Sequence, residues 1–332
     1  MNLELNRCKI PSFTVLLIPF IFTINQPLFA QDNIQPVSRE LSKFDFFYAG
    51  EGKIHNMYII KDGKIAWSYT NPNSKGEISD AVLLKNGNIL FAHQFGVSIL
   101  TPSKQIIWNY PAPAGTEIHT AVPAGKNLVV FVMNGNPARV MVMNYATNKV
   151  IKQFNIPVGN PNNIHGHFRH ARLTDKGTLL VAHMDMSKVN EYDSDGNILL
   201  SLDISRPWSA EPLKDGNILV CSASSVVELN RKGETVWEID TKTIKGYDVN
   251  SPQVAQRLSN GNILFNNWFN QWSAATIDLK NPPIQALEIT QDNKVVWALS
   301  SWKGAENLGP STIIQLLKDT GKLEKMRFGS LK

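Results

Sequence analysis

Three histidines and an arginine fall within six residues at His165-Gly166-His167-Phe168-Arg169-His170, the densest run of groups suited to chemistry in this 332-residue chain. Neutral imidazole ligates zinc, copper, iron or nickel, so His165, His167 and His170 are a candidate set for a divalent metal. Alternation along an extended chain would point His165 and His167 the same way, although the glycine between them leaves the geometry open. The same groups suit acid–base work, and His170, Arg169 and His119 are the candidate catalytic residues. The plainer alternative is that these imidazoles bond loop backbone and orient a crossing of the chain.

A second signature is aromatic. Asn266-Asn267-Trp268-Phe269-Asn270-Gln271-Trp272 sets flat ring faces beside amide donors and acceptors. That combination suits sugar rings, which present apolar C–H faces and hydroxyl edges, and it would equally cap a sheet. Asp80, His165, His167, His183, Trp208, Gln253, Trp268 and Trp272 are the candidate ligand-binding residues. Asp193-Ser194-Asp195-Gly196-Asn197 lacks the distal glutamate of a calcium loop and reads as a turn. Phosphate loops rich in glycine and a G-x-S-x-G elbow are absent from the sequence.

A repeat is what could bring residues so distant into one site. Five segments share one pattern: Ala81 to Leu90, Ala121 to Val129, Ala171 to Leu180, Ala210 to Leu219 and Ala255 to Leu264. Each is an apolar strand, a tight Asn-Gly, Asp-Gly or similar turn read as two residues long, and a second apolar strand, the signature of a β-hairpin. A second motif interleaves with it at Gly63 to Trp67, Lys104 to Trp108, Gly233 to Trp237 and Asn293 to Trp297, with Asn148 to Lys152 and Gly196 to Leu200 in the same slot. These are the outer strands. A hairpin recurring roughly every 40 to 50 residues, four strands to the repeat, predicts a β-propeller.

Six outer strands against five internal hairpins leave one blade short of an inner strand. Ser311 to Asp319 can supply it by pairing with residues 45 to 70, which would close the ring. The expected fold is therefore all-β: a six-bladed β-propeller of four-stranded antiparallel blades, closed by a C-terminal strand. Blades are expected at 45 to 70 plus 311 to 319, 79 to 110, 119 to 154, 168 to 203, 208 to 239 and 252 to 299. The recurring alanine fits the crowding where sheets converge on the axis. Inner strands would start at one face of the disc, and the long loops Asn155 to Phe168 and Asn266 to Pro283 would elaborate that face alone.

The Trp-bearing strand ends after Asp/Lys-Gly turns resemble the tryptophan-docking repeats of quinoprotein-like propellers. The L-x-N-G-N-x-L hairpins are similar to those of arylsulfotransferase-like propellers. Both resemblances imply the propeller over about residues 45 to 320. Pyrroloquinoline quinone enzymes carry a vicinal cysteine pair that this sequence lacks, so that cofactor is not expected. Arylsulfotransferase-like propellers carry sulfate on a central histidine flanked by basic residues; the resemblance implies that role for His170 and Arg169. Members of that family are longer and disulfide-bonded.

Residues 1 to 30 read as a cleaved signal peptide: Arg7 and Lys9, an apolar stretch from Pro11 to Ile24, and Leu28-Phe29-Ala30 before Gln31. The apolar run is short of the ~20 residues needed to cross a bilayer. A periplasmic or secreted protein with no membrane span is expected, with a linker at 31 to 44, the propeller at 45 to 320 and a tail at 321 to 332. Cleavage would leave Cys221 as the one cysteine, so no internal disulfide can form, and a 43% hydrophobic chain must rely on its core. The net charge of +5 is spread without a basic block, which argues against nucleic acid. The leading expectation is a ligand-binding propeller whose partner is a carbohydrate, another small molecule or an envelope protein. The rivals are an enzyme of the lyase, hydrolase or sulfuryl-transfer type, and an envelope assembly scaffold.

Overall fold

A computed structural model of the chain describes residues 41–50, 57–72, 76–269, 278, 280, 282–302 and 307–331. The expected signal peptide and Trp272 lie outside these residues. Blade one contains β1 (Phe46–Gly50), β2 (Met57–Lys61) and β3 (Lys64–Tyr69). Blade two is β4 (Asp80–Leu83), β5 (Ile89–Ala92), β6 (Gly96–Leu100) and β7 (Ile106–Pro111). Blade three is β8 (Glu117–Ala124), β9 (Leu128–Asn134), β10 (Ala138–Asn144) and β11 (Lys149–Ile156). Blade four is β12 (Phe168–Leu173), β13 (Leu179–His183), β14 (Lys188–Tyr192) and β15 (Ile198–Asp203). Blade five is β16 (Ser209–Pro212), β17 (Ile218–Cys221), β18 (Ser225–Leu229) and β19 (Thr235–Asp240). Blade six is β20 (Ser251–Arg257), β21 (Ile263–Trp268), β22 (Ala286–Ile289) and β23 (Val295–Leu299).

The last strand, β24 (Ser311–Leu316), returns to blade one as its innermost strand, giving the order β24-β1-β2-β3. Tyr48 pairs with Ile314 and Phe46 with Leu316. Neighbouring inner strands touch all the way round, from β24 to β4, β8, β12, β16, β20 and back to β24. The protein is thus a six-bladed propeller closed by its C-terminal strand, as the repeat predicts. The alanines Ala81, Ala121, Ala171, Ala210 and Ala255 are all buried on the inner strands, where a larger side chain would overpack the convergence.

The inner turns differ from the expected two-residue type. In the first, Gly87 N–H donates to Leu84 O, Leu84 N–H to Asn88 O, and Gly87 alone has a positive φ, at 85°. That is a type I turn closed by a glycine bulge. The residue before the glycine stays in ordinary space because its side chain turns back: Asn86 Oδ1 accepts from Asn88 N–H, as Asp215 does from Asn217 and Asn260 from Asn262.

Two repeated contacts bind blade to blade. The indole N–H groups of Trp67, Trp108 and Trp237 reach Pro102 O, Asn148 Oδ1 and Gln291 O, each in an outer turn of the following blade. Glu191, Glu228 and Glu288 on the third strands are almost fully buried and meet a cation of the next blade in Arg231, Arg257 and Lys43. The apolar pairs Ile106-Ile107, Val150-Ile151 and Ile198-Leu199 at the starts of outer strands are, by contrast, about half exposed.

Residues beyond β24 do not leave the disc. They run across the face carrying the inner turns: Glu324 accepts from Lys85 N–H, Met326 O from Gly125 N–H, and Gly177 O from Gly329 N–H, touching blades two, three and four in turn. Phe328 is completely buried in a cluster with Phe154, Phe168 and Tyr192. Phe328→Ala should therefore cost about 3–5 kcal/mol, the range for emptying a buried aromatic site. Urea unfolding measures it, and a loss below about 1 kcal/mol would show that this segment does not brace the ring.

Candidate functional site

All internal inner strands begin at the face opposite those turns, and three of them begin irregularly. The pairing register slips between Ile118 and Thr120 in β8, between Phe168 and Ala171 in β12, and between Pro252 and Ala255 in β20. The residues inside the slips are His119, Arg169 with His170, and Gln253 with Val254. A bulge re-aims the side chains it carries, and bulges gather at functional rims. Just before β12 the chain makes a 3-10 turn, Ile164–Gly166, which lifts His165 out of the strand direction.

These devices assemble one cluster from three blade approaches. Glu117 Oε2 lies 2.7 Å from His119 Nε2 and 2.8 Å from His165 Nδ1, while Gln94 donates to Glu117 Oε1 at 3.1 Å. His119 Nδ1 lies 2.9 Å from Glu77 Oε1 and 2.8 Å from Ser79 Oγ. Arg169 Nη2 is 2.8 Å from His165 Nε2 and 3.8 Å from Glu77 Oε1, and its Nη1 donates to His165 O and Phe168 O. A guanidinium can only donate, so His165 Nε2 accepts and its Nδ1 carries the proton that goes to Glu117. The Arg169 guanidinium also lies 5.6 Å from the Trp208 ring centroid, and Trp208 lies 6.4 Å from Trp268.

Exposure separates the roles available. His165 is half exposed, Glu117 a fifth exposed, and the His119 side chain is closed to solvent. Burial opposes ionisation of Glu117, yet hydrogen bonds from His119, His165 and Gln94 outweigh it and hold the carboxyl well below the usual range. The outcome is a fixed carboxylate holding a half-exposed imidazole by its Nδ1. Glu77, His119 and His165 each bring one ligand atom within 4.8 Å of the others, so among the described residues this trio could hold a metal ion. Two imidazoles and a carboxylate suit zinc or a similar ion.

A second network lies beneath, in the hub. Asp80 accepts from Arg172 at 2.8 and 3.1 Å and from Thr120 at 2.7 Å; Arg172 Nε donates to Glu211 at 2.8 Å. His170 Nδ1 is 3.6 Å from Asp80, and its Nε2 is buried without a partner. Burial works against the Asp80 charge, but Arg172 and His170 overcome it and depress the carboxyl far below its ordinary value. Burial likewise lowers the His170 imidazole, only partly offset by Asp80.

The sequence candidates divide accordingly. His119, His165, Arg169, Trp208 and Trp268 meet at one rim. Asp80, His170 and Gln253 are buried, with Gln253 Nε2 3.4 Å from Ser251 Oγ. His183 is buried against Phe168 and bonded to the Tyr192 hydroxyl at 2.9 Å; burial drives its pKa down to about 3. His165, His167 and His170 diverge, because the 3-10 turn and the bulge break the alternation: His167 turns to Asn160 O at 2.8 Å and His170 goes down into the hub. Glu77, Glu117 and Gln94 were missed by sequence reasoning. A signal exists, since Glu77-Ile78-Ser79-Asp80-Ala81 and Glu117-Ile118-His119-Thr120-Ala121 put a glutamate four residues before the repeat alanine twice.

No family model matches the chain, and no curated protein is similar to it at a significant level. Among solved structures, a protein of unknown function from Bacteroides caccae is 26% identical over 82% of this chain and 97% of that one, with a TM-score of 0.69. A streptogramin B lyase is 14% identical over 79% of this chain and 86% of that one, at 0.54. A catalytically inactive variant of virginiamycin B lyase from Staphylococcus aureus, with quinupristin, is 14% identical over 77% and 96%, at 0.52. At 14% identity the likeness speaks for the fold alone. The class defined is a six-bladed β-propeller with one elaborated face. No helix among the described residues is long and apolar enough to cross a membrane.

The hub makes a pH prediction. Asp80 is held ionised by the fold, so its contribution is complete above the ordinary carboxylate range and is lost as pH falls through that range toward the depressed value. Asp80→Asn leaves Arg172 undercompensated and should cost about 3–5 kcal/mol at neutral pH. The gap between variant and wild type in urea unfolding should narrow below about pH 4. A gap that is constant from pH 7 to about pH 3 would refute the assignment.

Proposed function

We propose that the protein is exported and that the elaborated face of its propeller binds a carbohydrate. The observation that supports this reading is the run of Trp268, Trp208 and Arg169 leading to the open Glu117–His165 pair. Ring faces take the apolar face of a sugar, and the partly exposed Glu117 carboxylate, held in place by His165, offers an acceptor to its hydroxyl edge. The basic start and apolar stretch of residues 1 to 30 support export, and Trp67, Trp108 and Trp237 docked on following blades support kinship with the tryptophan-docking propellers.

A glycan panel tests the reading. Wild type should retain at least one polysaccharide class, and Trp208→Ala should weaken that binding about tenfold or more, a loss of ~1.4 kcal/mol, with unfolding unchanged. Absence of binding across neutral, acidic and sulfated glycans would sink it. Export is tested separately: protein recovered outside the cytoplasm should begin at Gln31.

One observation favours an enzyme as the second reading: His165 is half exposed with its Nδ1–H held by a carboxylate, and its Nε2 lone pair would serve as a general base once a ligand displaces Arg169 Nη2. Glu77, His119 and His165 would add a divalent metal if one is resident. Glu117→Gln should then reduce turnover at least 100-fold on whichever glycan binds, while leaving binding within about threefold. Elemental analysis should find about one equivalent of metal that His165→Ala lowers. Binding without turnover leaves the lectin-like reading alone.

A further inference from the structure

The opposite end of the central channel has a chemistry of its own. A cavity of about 580 Å3 opens there, within the size range of small-molecule sites. Its walls are inner strands and the turns that follow them, with Ala81, Val254 and Ile313 deepest, and the C-terminal segment closes one side with Leu323. Glu211 is the polar group that distinguishes it. One Glu211 oxygen accepts from Arg172 Nε at 2.8 Å, and no group among the described residues hydrogen-bonds the other.

Charge decides what the cavity would accept. Arg172 has no donor left for a guest: Nε goes to Glu211, Nη1 to Asp80 and Ala171 O, and Nη2 to Asp80 and toward His170 Nδ1. Two carboxylates therefore share one guanidinium. The other basic residues lining the cavity have acidic neighbours: Arg257 is bound to Glu228, Lys322 to Asp319, and exposed Lys214 is followed by exposed Asp215. With those charges set against one another, the second carboxylate on Arg172 is the surplus, and Ala81, Val82, Val254 and Ile313 give the same cavity aliphatic surface beside the amides of Gln256 and Gln315. Burial raises the Glu211 carboxyl, with Arg172 opposing and Asp80 adding to the rise, so a cation placed against it would relieve that cost.

We propose that this cavity is a second binding site, for a small amphipathic amine whose ammonium rests on Glu211 and whose hydrocarbon body lies against Ala81, Val254 and Ile313. Nothing in it depends on the carbohydrate face. A phosphate, nucleotide or acidic sugar would meet the Glu211 carboxylate with no Arg172 donor to spare, and an uncharged hydrocarbon would leave the carboxylate unmet.

Matched probes test the charge requirement on the full-length mature chain. Titration calorimetry with 1-aminoadamantane should give a Kd below about 1 mM, and 1-adamantanol, of the same shape, should bind at least about tenfold more weakly. Glu211→Gln keeps an acceptor for Arg172 and should erase the difference between amine and alcohol. If that variant fails to fold, Leu323→Trp, which fills the cavity from the C-terminal segment, should weaken amine binding by a similar factor. Trp208→Ala on the other face should leave amine binding unchanged. Equal binding of amine and alcohol, no amine binding up to about 10 mM, or loss of amine binding in Trp208→Ala would each overturn the proposal.

Discussion

Convergence of six inner strands on one axis is the constraint from which the rest follows. Side chains there must be small where sheets face one another and self-neutralising where they are polar. The buried alanines meet the first demand, and the Asp80–Arg172 pair meets the second, with Glu211 on the same guanidinium as the one surplus charge of the triad. The triad joins blades two, four and five across the centre. Desolvating three charges in this way is costly, and a buried ion network of this kind is weak evidence for net stability. What it supplies is registry: a blade displaced by one residue would leave an ion unpaired. Pairing of β24 with β1 closes the same ring covalently distant from its start, so both ends of the repeat array are held.

The two faces of the disc answer to different local rules. On the plain face the inner turns are short and carry a glycine at positive φ, and three of them are held by an Asn or Asp side chain folding back, which leaves little room for variation. On the other face the chain enters β8, β12 and β20 through bulges. An added residue at a strand start costs a ladder bond and turns a side chain toward a neighbouring blade. That is how His119 reaches both Glu77 and Glu117, and how Arg169 comes over Trp208.

The fold was legible in the sequence because its signals are local and repeated. Glycine turns, alternating apolar strands and the tryptophan slot each recur, so errors in one copy are corrected by the others, and even the borrowed strand at Ser311 follows from counting. The site was legible only in part. His119, His165, Arg169, Trp208 and Trp268 share a rim because topology puts strand starts together. Which way each points depends on bulges and on the 3-10 turn at Ile164–Gly166, and neither has a sequence marker strong enough to predict. Hence His167 and His170 read alike with His165 yet turn elsewhere. The two-residue turn failed for a similar reason: Asn-Gly specifies a bend, while the flanking strand register selects between a primed turn and a bulged one.

The rim cluster also constrains the kind of sugar the face would take. Glu77 and Glu117 are two carboxylates against one guanidinium, and Arg169 spends its Nη1 on backbone carbonyls and its Nη2 on His165. It therefore serves as a cationic plate against Trp208 more than as an open receptor for anions. A face with no surplus positive charge gains little from a uronate or sulfate, whose desolvation would go uncompensated. Neutral glycans are the better match on this argument, and the hypothesis predicts binding that barely changes between about 50 and 500 mM salt. Tight binding confined to acidic glycans and lost in that salt range would mean that Arg169 releases its internal partners when the ligand arrives.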